Sequence, residues 1–263
     1  MNIRTLLLFS LVFAVTALPA AASTSPWTQT PGGRVRVIIE DQASDNGAIR
    51  GALQIDLAPG WKTYWRNPGS SGVPPQITLE GRADAQIAYP APVLFSAAED
   101  GIGYKRPVSL PITFKPDPDG HRLKGNVFLG VCEKICIPVQ TEFDFSLEEA
   151  DAVQSSAPQQ VAVRTIIETA FDRLPAPASK DFGITKVKRE GDKAIFKLAL
   201  PDPHAPAQLF VASDKMSLSQ PVASPAQDDP EFIVTLHGKA KAVIVDYTIV
   251  QNGEAVSGQV ALD

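Results

Sequence analysis

The chain has 263 residues, two cysteines and a formal net charge of −5, from 24 Lys and Arg against 29 Asp and Glu. The negative charge argues against nucleic acid as a partner, because proteins neutralise its phosphates with Lys and Arg. The length allows one or two domains, and 23 prolines and 18 glycines with few long helical patterns predict an all-β protein.

The N-terminal segment has the features of a secretory signal peptide. Arg4 precedes an apolar run from Leu6 to Leu18, and small residues follow up to Ala22. A membrane anchor is the weaker interpretation, since the run has about 13 residues and a membrane-spanning helix needs about 20. We therefore expect residues 1–22 to be a signal peptide cleaved near Ala22. We also expect the mature protein to lie in the periplasm, where disulfides form and persist.

Apolar residues at every second position predict half-buried strands in the first half of the chain. The last two of these runs flank the cysteines, so we expect a hairpin whose turn carries Cys132 and Cys136. The alternating residues are Val35, Val37 and Ile39, then Leu53, Ile55 and Leu57, then Val108, Leu110, Ile112 and Phe114, then Val127, Leu129 and Val131, and then Val139, Thr141, Phe143 and Phe145.

The spacing of the two cysteines fits a bond across this hairpin. If residues 133–135 form the loop, Cys132 and Cys136 face each other with Cα atoms about 4.5–5.5 Å apart, within bridging range. Pro138 has no N–H group and is expected at a sheet edge or at the start of a strand. The pair is therefore predicted at an edge that a partner protein can reach.

A bond between Cys132 and Cys136 is a poor scaffold, which favours a working dithiol. Closing a loop of about 5 residues stabilises the fold by roughly 2 kcal/mol, against about 4 for a bridge closing roughly 60 residues. A chain of this length also buries a substantial core without covalent help. A local structural clip remains the alternative interpretation.

The second half of the chain predicts a linker, a helix and further strands. Residues 151–179 are expected to be the linker and one short helix, since apolar residues recur there at helical spacing until Pro175. Residues 180–263 are expected to form a smaller β-sandwich without cysteines. Its two histidines, His204 and His237, lie in unrelated segments and indicate no site.

The segment Gly60–Pro75 contains an unusual density of aromatic residues, prolines and glycines. We interpret Trp61 and Trp65 as core residues because they share a face of the predicted strand. Tyr64 and Arg66 are expected to point the other way. Together with Pro138, they are predicted to line a recognition surface.

Four segments together resemble the N-terminal periplasmic domain of DsbD-type thiol:disulfide interchange proteins, and most of all the ScsB-like branch associated with copper tolerance. The resemblance covers about residues 27–147. It implies an immunoglobulin-like fold for the dithiol domain, residues 23–150. With the sandwich predicted for residues 180–263, we expect two immunoglobulin-like β-sandwich domains. The segments are Gly60–Pro75, Tyr89–Pro92, Gly101–Tyr104 and Cys132–Pro138.

The resemblance also implies a chemistry and partners. The domain would be a thiol-disulfide oxidoreductase that uses no cofactor or metal. It would take two electrons from a membrane-embedded donor of the DsbD/CcdA type and pass them to oxidised thioredoxin-fold proteins in the periplasm. Cys136 would be the attacking sulfur and Cys132 the resolving one. Longer members carry the electron-transfer domains that this sequence lacks, so we expect the donor to be a separate protein.

A segment before Tyr104 resembles the cap of this family, which shields the cysteine pair. Glu99 and Asp100 are its acidic candidates, and the ring of Tyr104 would cover sulfur. The alternative is a solvated acidic turn with Tyr104 in the core.

Two other functions remain open at this stage. Two thiolates can hold a soft ion such as Cu(I), although the histidines and Met216 show no ligand spacing. The third hypothesis is a non-enzymatic interaction module with a structural disulfide.

Overall fold

The computed structural model describes residues 23–70, 72–96, 101–147, 158–224, 230–240 and 242–263. The predicted signal peptide, residues 1–22, lies outside this part of the chain. The described residues form short strands and one helix, which confirms the all-β prediction. No helix among them is long and apolar enough to cross a membrane.

Two antiparallel sheets form a first sandwich. One has the strand order β1-β2-β3-β9-β6, and the other has the order β11-β10-β4-β8-β7, with β5 also paired to β10. The strands are β1 Thr28–Thr30, β2 Gly33–Ile39, β3 Ile49–Leu57, β4 Lys62–Tyr64, β5 Gln76–Leu79, β6 Asp84–Ile87, β7 Val93–Leu94, β8 Ile102–Tyr104, β9 Val108–Lys115, β10 Arg122–Cys132 and β11 Cys136–Ser146.

The predicted hairpin around the cysteines is confirmed as the pair β10 and β11. Its register runs from Arg122 opposite Ser146 to Cys132 opposite Cys136, so residues 133–135 are the turn. The sandwich buries every second side chain of these strands, which is why the sequence alternates. The buried residues include Val127, Leu129, Val131, Val139, Thr141, Phe143 and Phe145, while Gln140, Glu142 and Asp144 are exposed.

The helix α1, Pro158–Asp172, packs on the outside of the first sandwich. Its buried residues Val163, Ile167 and Ala170 form a cluster with Ile38 and Ala52 of the sheet. The helical spacing in the sequence therefore reflects packing against this sheet.

An ion pair fixes the orientation of the helix. Arg164 donates to both carboxylate oxygens of Asp41, at 2.7 and 2.9 Å. The side chain of Asp41 is only 5% exposed. Such a forked pair is more specific in geometry than a single contact.

The remaining strands form a second sandwich. One sheet has the order β12-β20-β19-β15 and the other β13-β14-β18-β16, with β17 also paired to β18. The strands are β12 Ala176–Pro177, β13 Gly183–Glu190, β14 Lys193–Ala199, β15 Ala207–Ala212, β16 Ser217–Leu218, β17 Val222–Ala223, β18 Glu231–His237, β19 Val243–Gln251 and β20 Glu254–Leu262.

The two sandwiches share apolar packing at their junction. Phe210 and Ala212 of β15 belong to the same buried cluster as the core of the first sandwich. The ring of Trp65 meets Phe210 edge-to-face, with centroids 6.1 Å apart. Trp65 is 1% exposed, so this contact is part of a continuous core.

Candidate functional site

Cys132 and Cys136 form a disulfide where β10 and β11 meet. The two sulfurs are 2.05 Å apart and the Cα atoms 4.1 Å, slightly less than the separation expected for facing residues. The two ends of the bond have different surroundings. Cys132 is 2% exposed, whereas Cys136 is exposed. An incoming sulfur can therefore approach the bond from the side of Cys136.

The short strand β4 supports the disulfide from the neighbouring position in the sheet. Lys62 lies directly opposite Cys132 in the register. Tyr64 follows two residues later and so projects from the same face. Its hydroxyl lies 3.6 Å from the sulfur of Cys136. Because a disulfide sulfur carries no hydrogen, this hydroxyl is the donor.

An aromatic side chain that sequence reasoning missed completes the site. Phe95 is buried in a small cluster with Tyr64 and Cys132. The rings of Phe95 and Tyr64 meet edge-to-face with centroids 5.8 Å apart. Phe95 therefore packs over the buried cysteine.

Two lysines flank the ring of Phe95. The Nζ atoms of Lys62 and Lys105 lie 5.3 and 5.4 Å from its centroid. Lys62 is buried, with 5% of its surface exposed. Positive charge beside a cysteine favours its thiolate. The sequence signal for Lys62 was its spacing of two from Tyr64, which places both on one face of a strand.

The structure places Tyr104 in the core of the first sandwich. It is 7% exposed, and its hydroxyl donates to the carbonyl of Pro90 at 2.8 Å. Burial raises the pKa of Tyr104 well above its usual value, so the phenol stays a donor. Tyr104 lies opposite Thr63, whereas Tyr64 is on the other face. This position differs from the predicted cover over sulfur, since the ring of Tyr104 is part of the core. Glu99 and Asp100 lie outside the described residues.

Tyr64 and Arg66 do not form the open recognition surface that the sequence predicted. Tyr64 is 2% exposed and lies beneath the disulfide. The strand β4 ends at Tyr64, so the alternation does not extend to Arg66. Instead, the guanidinium carbon of Arg66 lies 4.8 Å from the ring centroid of Tyr89. Its Nη1 atom forms an ion pair with Oδ2 of Asp246 in the second sandwich, at 3.0 Å.

Pro138 is exposed and lies on β11, the last strand in its sheet order. This edge position is the one predicted for a residue that cannot donate to a neighbouring strand. The turn residues Glu133, Lys134 and Ile135 beside it are also exposed. The surface around Cys136 therefore carries a negative side chain, Glu133, and a positive one, Lys134. It also carries the apolar side chain of Ile135, which is 72% exposed.

Within the described ranges, no three or more His, Cys, Asp or Glu side chains lie close enough together to hold a metal ion. The cysteines, their lysine neighbours and the aromatic rings are the groups that the fold brings together. This set can carry out thiol-disulfide exchange, in which a thiolate attacks a disulfide sulfur.

Part of the chain is similar to known proteins. Residues 34–148 match the family described as thiol:disulfide interchange protein DsbD, N-terminal. Among solved structures, the fold is similar to the crystal structure of the N-terminal periplasmic domain of ScsB from Proteus mirabilis. The TM-score is 0.71, with 22% sequence identity, and the match covers 91% of this chain and 98% of that one. None of the curated proteins compared with the chain matches it significantly. Residues 34–148 are therefore similar to the DsbD N-terminal domain, as the sequence motifs predicted.

Proposed function

We propose that this protein is a periplasmic thiol-disulfide oxidoreductase that relays electrons through Cys132 and Cys136. It would receive them from a membrane-embedded donor of the DsbD/CcdA type and pass them to oxidised thioredoxin-fold proteins. The observation that carries this proposal is the contrast between a buried Cys132 and an exposed Cys136 at the end of one hairpin. The family match over residues 34–148 supports it.

In the proposed reaction the reduced protein acts first through Cys136. Its thiolate attacks one sulfur of the acceptor's disulfide, forming a mixed disulfide and releasing one acceptor thiolate. Cys132 then attacks the sulfur of Cys136, which closes the internal disulfide and releases the second acceptor thiolate. Two electrons pass to the acceptor, and its two thiolates take up protons from solvent. The hairpin register keeps the two cysteines facing each other for the second step.

The surroundings of the cysteines favour the thiolates that this reaction needs. The hydroxyl of Tyr64 is within reach of the sulfur of Cys136, and a hydrogen bond to a charged acceptor is stronger than one to a neutral group. Lys62 lies opposite Cys132 and adds a positive charge on the same face. The donor would reverse the sequence by attacking the disulfide at Cys136.

Electron transfer between purified proteins tests the proposal. The full chain is reduced, freed of reductant and mixed with an oxidised periplasmic thioredoxin-fold protein, and free thiols are counted on each partner. We expect each molecule of this protein to lose two thiols and each acceptor to gain two. The exchange should be much faster than that of the acceptor with reduced glutathione at the same thiol concentration.

A variant with both Cys132→Ser and Cys136→Ser is the control, and it should transfer nothing. If the wild-type protein reduced the acceptor's disulfide no faster than glutathione does, the proposal would be wrong. The disulfide would then be a structural clip.

A further inference from the structure

The second sandwich forms hydrogen bonds with the chain immediately after β4, the strand that supports the disulfide. The side-chain amide of Asn67 donates to the carbonyls of Val211 and Leu218, at 2.8 and 3.2 Å. Both acceptors belong to the second sandwich. Asn67 lies three residues after Tyr64, whose hydroxyl reaches the sulfur of Cys136. These two hydrogen bonds are therefore close to the site along the chain.

The residues after Asn67 also contact Gly101 and Ile102, which lie next to the site. The carbonyl of Pro68 accepts from the N–H of Ile102 at 3.1 Å. A Cβ atom on Gly69 would lie 3.2 Å from the Cα of Gly101 and 3.4 Å from the amide nitrogen of Gln220 in the second sandwich. Gly69 also has a φ of 84°, which disfavours other residues. Only glycine therefore fits between Gly101 and the second sandwich without displacing a neighbour.

Residue 101 in turn holds the side chain that covers the buried cysteine. The carbonyl of Gly101 accepts from the N–H of Phe95 at 2.9 Å. Phe95 packs with Tyr64 and Cys132. Hydrogen bonds and close packing thus connect the second sandwich to the disulfide through Asn67, Gly101 and Phe95.

We propose that Asn67 is a positioning residue through which the second sandwich fixes Phe95 and Tyr64 against the disulfide and so limits its attack by small thiols. Local openings of a structure cost less free energy than its global unfolding, and each lost hydrogen bond makes them easier. The second sandwich thereby gains a role in the exchange reaction. The inference rests on the proposed function only for its biological purpose.

The test changes the amide of Asn67 into an acceptor. In an Asn67→Asp variant, a carboxylate oxygen replaces the nitrogen that faces the two carbonyls, which abolishes both hydrogen bonds. The other oxygen, which accepts from the N–H of Gly69 at 3.4 Å, is retained. The substitution therefore removes the two hydrogen bonds to the second sandwich with almost no change in side-chain volume.

Gln251→Glu is the matched control within the second sandwich. The amide of Gln251 also donates to two backbone carbonyls, those of Asp202 and Ala205, at 2.8 and 3.1 Å. It is 3% exposed. The control therefore makes the same chemical change without touching the segment that runs to the disulfide.

The readout is the second-order rate constant for reduction of the disulfide in the full oxidised chain by dithiothreitol. We expect Asn67→Asp to be reduced about tenfold faster than wild type, because two hydrogen bonds are lost. A tenfold change corresponds to about 1.4 kcal/mol. Gln251→Glu should stay within about twofold of wild type, because its partners Asp202 and Ala205 lie outside the segment that runs to the disulfide. The acceleration should persist at low urea concentrations without growing, because a local opening exposes little surface.

Two results would overturn the inference: an Asn67→Asp rate equal to wild type, or an equal acceleration in Gln251→Glu. If Asn67→Asp does not fold, Asn67→Ala decides the question, since it removes the same two hydrogen bonds without placing a charge beside the carbonyls. It should give a smaller acceleration, and no acceleration would contradict the inference. Dithiothreitol reports on the disulfide itself, so the test stays valid even if no thioredoxin-fold protein accepts electrons.

Discussion

A Cys132→Ser variant is expected to accumulate a mixed disulfide with its partner, whereas Cys136→Ser should form none. Cys136 is exposed and can reach a partner's disulfide, but without Cys132 nothing resolves the bond that it forms. Buried Cys132 cannot replace it as the attacking sulfur, because it is 2% exposed. Both variants should lose the exchange activity completely. Non-reducing electrophoresis of alkylated samples, followed by mass spectrometry of the new band, measures the result.

Both variants should remain folded, so a difference in trapping reflects which cysteine is missing. The lost disulfide closes a short loop worth roughly 2 kcal/mol, a modest part of the stability of a protein with two sandwiches. Circular dichroism of each variant checks this point. Trapping through Cys132 in the Cys136→Ser variant would reverse the assigned roles. Equal trapping by both variants would show that the burial of Cys132 does not restrict exchange.

Replacing Trp65 by Ala should destabilise the protein by about 3–5 kcal/mol, the usual cost of removing a large buried aromatic residue. Trp65 is 1% exposed, and its ring contacts Tyr89 in the first sandwich and Phe210 in the second. The loss should therefore weaken both sandwiches together. Urea unfolding, followed by circular dichroism, measures the change in the free energy of unfolding.

Trp27→Ala is the matched control for this prediction. The half-buried ring of Trp27 lies beneath the guanidinium groups of Arg34 and Arg36, at 4.5 and 4.3 Å. Such contacts contribute about 0.5–1 kcal/mol each at exposed sites, so the cost should be about 1–2 kcal/mol. Similar costs for the two tryptophans would mean that the sandwiches do not share a stabilising core.

The hairpin and its cysteines could be predicted from the sequence because long strands with one buried face repeat every two residues. The strand β13, Gly183–Glu190, was not predicted from this pattern. Four of its eight residues are charged and only Gly183 is buried, so the alternation is weak. The helix was evident from its apolar spacing, but its packing on Ile38 and Ala52 depends on contacts more than 100 residues apart in the chain.

The covalent part of the site was predictable, and its surroundings were not. Cysteine spacing located the disulfide, but Phe95 reaches Cys132 only through tertiary packing. The prediction for Arg66 failed because the alternation of β4 stops at Tyr64, and the chain then turns toward Asp246. Local patterns do not contain such endpoints when a strand has 3 residues.

The proposed function requires the bond between Cys132 and Cys136 to open and close while the protein works. The most direct measurement is the redox state of the two cysteines in acid-quenched cells, read by mass spectrometry after alkylation of free thiols. We predict a substantial reduced fraction in cells that contain the membrane-embedded donor and a fully oxidised pair in cells without it. An oxidised pair in both kinds of cell would contradict the claim and leave the disulfide with a structural role.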